Sequence, residues 1–127
     1  MTTQRTSEVV VIDSITEVRA EHAGRIVVTG SHGGASAGHY ALMVRAKLYV
    51  FNDAGIGKDE AGIAALGLLN GAGIAAIAVA HTSARIGDAD DTLRNGIVSR
   101  VNATAKALGL ATGHSLREVV PTLDERA

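Results

Sequence analysis

The chain has 127 residues, close to the usual size of one domain, and its 46% hydrophobic residues are enough for a packed core. With 12 Lys and Arg against 13 Asp and Glu, the formal net charge is -1, so no global positive field attracts nucleic acid or an anionic membrane. The absence of Cys excludes a disulfide framework, a zinc–thiolate site and a cysteine nucleophile, and it is typical of a cytoplasmic protein.

Strand-like and helix-like segments alternate along the chain. Short apolar runs bounded by polar residues are typical of strands buried on both faces, and apolar residues three and four apart are typical of helices. In chain order we expect a strand at 9–12, a helix at 14–23, a strand at 25–29, a helix at 36–46, a strand at 47–51, a helix at 59–70, a strand at 74–80 and a helix at 91–108. This alternation predicts a three-layer α/β domain, with a four-stranded, mostly parallel sheet and helices on both faces.

The second half of the chain contains one ambiguous segment and one clear one. The apolar run at 74–80 fits a strand or a buried helix, and its position between a glycine turn and a polar loop favours the strand. The stretch at 91–108 has the clearest helical spacing in the chain, and Gly109 fits a C-terminal stop. Residues 115–121 predict one more short turn or helix, which Pro121 ends. The predicted divisions are a flexible N-terminus at 1–7, a single α/β domain at 8–120 and a C-terminal tail at 121–127.

Polar and titratable residues follow each predicted strand in an otherwise aliphatic chain. In an open parallel sheet, ligands bind beyond the carboxyl ends of the strands, where loops and helix N-termini converge. The residues expected at this edge are Asp13 and Ser14 after the first strand, Ser31 and His32 after the second, Asn52 and Asp53 after the third, and His81, Thr82, Ser83 and Arg85 after the fourth. The sequence therefore predicts a functional site at the strand ends.

A glycine-rich loop at 30–35 joins a predicted strand to a predicted helix. Its glycines allow a ligand to approach the backbone, whose N–H groups can hold an anion or an oxyanion. The alternative is a turn that lets the helix pack on the sheet. The glycine spacing does not match a dinucleotide-binding motif, so we expect no cofactor. The candidate substrate-binding residues at the predicted edge are Ser31, Gly33, Gly34, Asn52, Ser83 and Arg85.

His32, Asp53 and His81 are the candidate catalytic residues. Proton transfer requires a group that titrates near neutrality, such as imidazole, and a carboxylate can orient that group or stabilise its charge. Each of the three could instead be a hydrogen-bonded loop residue. His39 is a weaker candidate, because it falls inside the predicted helix at 36–46, and His22 and His114 are expected at the surface.

Arg85 is the candidate for holding an anionic substrate. Its planar guanidinium matches a carboxylate or a phosphate, although a salt bridge to Asp88 or Asp90 would also explain it. No short spacing of His and acidic residues indicates a metal site, so we expect no metal.

These features predict a small cytoplasmic enzyme that acts on a small polar or anionic metabolite. Hydrolysis is favoured over lyase or isomerase chemistry, and side chains with water suffice for all three. The alternative is a non-catalytic ligand-binding or structural subunit of a larger homo- or hetero-oligomer, because a sheet of four strands has little depth to enclose a substrate. The expected partners are a small-molecule substrate and further copies of the chain. Nucleic acid and membrane are not expected, since no apolar run approaches the roughly 18 residues of a membrane span.

Overall fold

The computed structural model describes residues 9–125 as one five-stranded sheet with helices on both faces. The strands, in their order across the sheet, are β1 (Val9–Ile12), β2 (Ile26–His32), β3 (Leu48–Asn52), β4 (Ala76–Val79) and β5 (Val98–Val101). Strands β1 to β4 are parallel, and β5 pairs antiparallel with β4. The predicted α/β class with a mostly parallel sheet is confirmed, with five strands instead of four. The predicted N-terminal segment at 1–7 lies outside the described residues.

Within residues 9–125, five α-helices and three short 3-10 turns lie between the strands and after β5. The helices are α1 (Ala35–Leu42), α2 (Ala64–Gly71), α3 (Ala89–Asn95), α4 (Ala103–Ala107) and α5 (Leu116–Glu125), and the 3-10 turns are Ile15–Glu17, Ala20–His22 and Lys58–Ile63. A capping box precedes the first 3-10 turn, because Ser14 accepts from Thr16 N–H and Glu17 accepts from Ser14 N–H. It starts a single 3-10 turn, where a helix at 14–23 was predicted. No helix among residues 9–125 is long and apolar enough to cross a membrane.

The two faces of the sheet carry separate hydrophobic cores. On one face, α1 and α2 pack over side chains such as Val27, Tyr49 and Phe51. On the other face, the C-terminal segments pack over Val28 and Val50, among others. The crossovers through α1 and α2 lie on the same face, as crossovers of one handedness between consecutive parallel strands require. The C-terminal third of the chain therefore covers the opposite face.

The predicted helix at 91–108 is wrong, because this stretch forms α3, β5 and α4. Helix α3 ends at Gly96, where a Cβ would lie 2.7 Å from the Val79 side chain, so glycine lets the chain pass close to β4. The free edge of β4 then pairs with the β-branched Val98 and Val101. Sheet pairing thus overrides a helical pattern that spans a strand and two short helices.

Helix α5 continues through Pro121 to residue 125, so the prediction that Pro121 ends it is wrong. Proline removes one backbone hydrogen bond from the helix. Val120 and Leu123 are buried in the second core on either side of it, so packing on the sheet holds the helix together.

Candidate active site

The predicted polar residues meet at the carboxyl edge of the parallel strands. His32 at the end of β2 is in register with Asn52 at the end of β3. The next residue, Asp53, donates its N–H to the Val79 carbonyl of β4 at 2.8 Å. The ends of β2, β3 and β4 are therefore hydrogen-bonded to one another, and they carry the three candidate catalytic residues at one edge.

Asp53 is a buried carboxylate that accepts three hydrogen bonds and lies beside the His81 ring. Its Oδ1 accepts from the Gly55 N–H at 2.8 Å and from the His81 N–H at 3.0 Å. The same oxygen lies 3.3 Å from His81 Nδ1. Its Oδ2 accepts from the Ser99 hydroxyl at 2.7 Å. Both carboxylate oxygens are thus satisfied within the protein.

These hydrogen bonds decide the charge of Asp53. Burial acts to raise the pKa of the carboxyl group, but the donors from Ser99, Gly55 and His81 together lower the pKa below its ordinary value of 3.8. Asp53 is therefore ionised at neutral pH. A fixed negative charge lies beside the His81 ring.

The His81 imidazole is oriented on one side and open to solvent on the other. Its side chain is 51% exposed, whereas that of Asp53 is 6% exposed. The Gly55 backbone lies against the ring. A Cβ added to Gly55 would be 3.6 Å from His81 Cε1. An ionised carboxylate at Nδ1 favours the neutral ring with its proton on Nδ1, and Nε2 then carries the lone pair. This geometry is suitable for a general base.

Ser99 completes the set, and the sequence analysis missed it. Ala78 pairs with Arg100 and Val79 pairs with Val98, so Ser99 is an extra residue on β5 that forms a β-bulge. Bulges redirect side chains, and this one brings the Ser99 hydroxyl to Asp53. Ser99 lay within the predicted helix at 91–108, so no feature of the sequence indicated this contact.

His32 lies at the same edge but makes no hydrogen bond or ion pair with Asp53 or His81. Its Nδ1 accepts from the Gly34 N–H at 3.1 Å, so the neutral ring carries its proton on Nε2. Strands β2 and β4 flank β3, and neighbouring strands are about 4.8 Å apart, which separates these two strands by roughly 10 Å. His32 instead lines a cavity of about 150 Å³ together with the hydroxyls of Ser31, Ser36 and Tyr40.

The glycine-rich loop makes close packing contacts. The Gly33 N–H donates to the Asn52 carbonyl, and the Gly33 carbonyl accepts from Ala65. A Cβ on Gly33 would lie 3.0 Å from the Gly62 carbonyl oxygen. The N–H groups of Gly33 and Gly34 both donate within the protein, which fits the alternative that this turn serves helix packing.

Ser31, Asn52 and Ser83 each make an internal hydrogen bond. The Ser31 hydroxyl accepts from the Ile15 N–H at 2.9 Å. Asn52 is fully buried, and its amide donates to the Ala84 carbonyl at 2.9 Å. The Ser83 hydroxyl donates to the Ala80 carbonyl. These contacts hold the loops that surround the site.

Arg85 is exposed, and its Nη1 lies 3.9 Å from Asp88 Oδ2. Such a loose, solvated ion pair contributes little to stability, so the guanidinium is accessible to an anion. Asp88 caps α3, because its Oδ1 accepts from the Asp91 N–H. Of the remaining histidines, His114 is exposed as predicted, whereas His22 is buried, contrary to prediction, and accepts from the Arg19 N–H.

The loop after Asp53 has a strained backbone. Four residues other than glycine have positive φ, and these are Ala54 (51°), Ile56 (67°), Asp59 (56°) and Glu60 (58°). This conformation costs about 1 kcal/mol or more per residue, and such strain is concentrated at active sites and ligand clamps. A Cβ on Gly62 would clash with the Asp53 carbonyl oxygen, so the segment folds tightly against the end of β3.

No family model, curated protein or solved structure matches this chain. Among the described residues, no three His, Asp or Glu side chains converge to hold a metal ion. The function is therefore inferred from the chemistry of the site.

Proposed function

We propose that this protein is a small cytoplasmic enzyme that acts on a small polar or anionic metabolite, with His81 as its general base. One observation carries the proposal, namely the buried Asp53 carboxylate whose Oδ1 lies 3.3 Å from Nδ1 of a half-exposed imidazole. A carboxylate in this position orients the ring, and it stabilises the imidazolium that forms when Nε2 accepts a proton. The absence of Cys supports a reducing compartment such as the cytoplasm.

Hydrolysis is the reaction class that this arrangement supports best. His81 Nε2 would remove a proton from water, and the resulting hydroxide would attack the substrate. The proton would then pass from the imidazolium to the leaving group. His32, whose neutral ring carries a proton on Nε2, is a candidate hydrogen-bond donor to the substrate, and Arg85 is the candidate for holding an anionic group. A lyase or an isomerase would use the same base to remove a proton from carbon.

The test is a substrate screen with matched histidine variants. Esters, amides, phosphate esters and small carboxylates are offered to the wild type, to His81→Gln and to His39→Gln, whose histidine is exposed on α1. We expect His81→Gln to lower turnover by about 10²- to 10⁴-fold, the usual contribution of a general base. His39→Gln should retain wild-type turnover. If the turnover of His81→Gln is within a few-fold of wild type, His81 is not the general base.

A non-catalytic or structural subunit is the second candidate, and one surface favours it. Met43 after α1 is 76% exposed, and Tyr40 and Leu68 are exposed nearby on α1 and α2. Gly38 brings these two helices together, since a Cβ there would lie 2.8 Å from the Leu68 side chain. Exposed apolar side chains on adjoining helices are typical of an association surface. A homo-oligomer formed through this surface is compatible with either function.

A further inference from the structure

A second cavity, of about 410 Å³, lies between residues 58–71 and β5. We call it the charged groove. Its size is within the range of small-molecule sites, about 300–1,000 Å³. One lining residue, Arg100, directly follows Ser99, which donates to Asp53. Asp53, Ser99 and His81 do not themselves line the groove.

The charged groove carries opposite charges on its two walls. Asp59 and Glu60 line it on the helical side, and Arg100 lines it on the β5 side. Within residues 9–125, none of these three side chains has an ion-pair partner within 4.0 Å. The Arg100 guanidinium donates only to the carbonyl of Ser99, at 3.0 Å. Three charged side chains without an ion-pair partner among the described residues thus line one cavity.

The two acidic residues of the groove have a strained backbone conformation. Asp59 and Glu60 both have positive φ, a conformation that side chains other than glycine rarely adopt. Ile63 and Leu66 supply apolar lining. The groove thus combines two acidic side chains, one guanidinium group and an apolar surface.

We propose that the charged groove is a binding site for a zwitterion, a small molecule with both an amino group and a carboxylate. The planar Arg100 guanidinium takes the carboxylate through two parallel hydrogen bonds. Asp59 and Glu60 take the ammonium group, and the carbon chain lies on the apolar lining. The inference goes beyond the proposed function and does not rest on it, since binding itself requires no turnover.

The experiment is an NMR titration of the full ¹⁵N-labelled chain with defined probes. The zwitterions are glycine, β-alanine and 5-aminopentanoate, and the matched compounds with one charge are pentanoate and pentylamine. We expect at least one zwitterion to shift the amide signals of residues 59–67 and 100–103 and to bind more tightly than both compounds with one charge. Arg100→Gln and the double variant Asp59→Asn/Glu60→Gln should each weaken binding by about 10-fold, the loss expected for a charged hydrogen bond.

Arg94→Gln is the control, because Arg94 pairs with Asp90 on α3, away from the groove. Its binding should equal that of the wild type. The inference is overturned if no zwitterion shifts the groove signals, if pentanoate binds as tightly as the zwitterions, or if the groove variants bind as the wild type does. His81→Gln separates the two proposals. Loss of turnover in this variant without zwitterion binding in the wild type overturns only the inference, and groove binding with full turnover in His81→Gln overturns only the proposed function.

Discussion

Asp53 is the residue whose replacement the structure constrains most tightly. Asparagine has the same shape but no charge, and its NH₂ group could donate to the Ser99 hydroxyl, which has the Ala78 carbonyl at 3.3 Å as another acceptor. We expect Asp53→Asn to lower the free energy of unfolding by about 2–3 kcal/mol at pH 7, because hydrogen bonds to a charged acceptor are stronger than those to a neutral one. Urea unfolding measures it. Asp90→Asn, which removes an exposed pair with Arg94, should cost less than about 1 kcal/mol.

The contribution of Asp53 to the free energy of unfolding depends on pH. The pKa of Asp53 is lower in the folded protein than its ordinary value of 3.8, so its ionised form stabilises the fold above that pH. This stabilisation is lost as pH falls through the folded pKa. The stability difference between wild type and Asp53→Asn should therefore be full at pH 7 and shrink below about pH 4. A difference that stays constant from pH 7 to pH 3 would show that the charge of Asp53 does not stabilise the fold.

Among the secondary-structure elements, the α1–α2 contact depends on one glycine. A Cβ on Gly38 would lie 3.0 Å from Ala65 Cα, which is backbone, whereas a Cβ on Gly67 has no neighbour within 4 Å. We expect Gly38→Ala to destabilise the protein by about 1–3 kcal/mol through overpacking. Gly67→Ala, in α2, should stabilise it by about 0.5–1 kcal/mol through helix propensity. Equal effects of the two substitutions in thermal unfolding would show that the helices can separate to accept a side chain.

Sequence patterns are sufficient to identify four of the five described strands. Strands β1 and β4 are continuous apolar runs, and β2 and β3 each begin with one, so local pattern identifies these strands and places Asp53 and His81 at one edge. Strand β5 is short, and its apolar residues coincide with helical spacing. Its pairing depends on the free edge of β4, a tertiary feature that local periodicity does not contain. Ser99 and Arg100 were missed for this reason.

At the scale of the whole molecule, the α/β class follows from the alternation of elements, but the site does not follow fully. The sequence brought His32, Asp53 and His81 to one edge without showing which two are in contact. That contact depends on the loop after Asp53, whose positive φ values at Ala54 and Ile56 have no sequence signal. The charged groove is likewise formed by β5 packing near residues 58–71. Contacts between distant segments therefore carry the functional detail.

Association between copies of the chain can be tested from the mass of the protein in solution. If the exposed surface at Tyr40, Met43 and Leu68 joins copies of the chain, light scattering after gel filtration should give at least twice the mass of 13.0 kDa. Met43→Glu would place a charge in this surface and should yield the monomer. Lys106→Glu, an exposed change on α4, should leave the mass unchanged. A monomeric wild type would contradict the association.

We propose that Asp53 holds the proton of neutral His81 on Nδ1 and leaves Nε2 as the base. The most direct measurement is a long-range ¹H–¹⁵N NMR spectrum at about pH 8, above the ordinary pKa of histidine, which distinguishes the two ring nitrogens. We predict the proton on Nδ1 of His81, and on Nε2 of His32, whose Nδ1 accepts from Gly34. In Asp53→Asn the preference of His81 for Nδ1 should be lost. A His81 proton on Nε2 in the wild type would contradict the account.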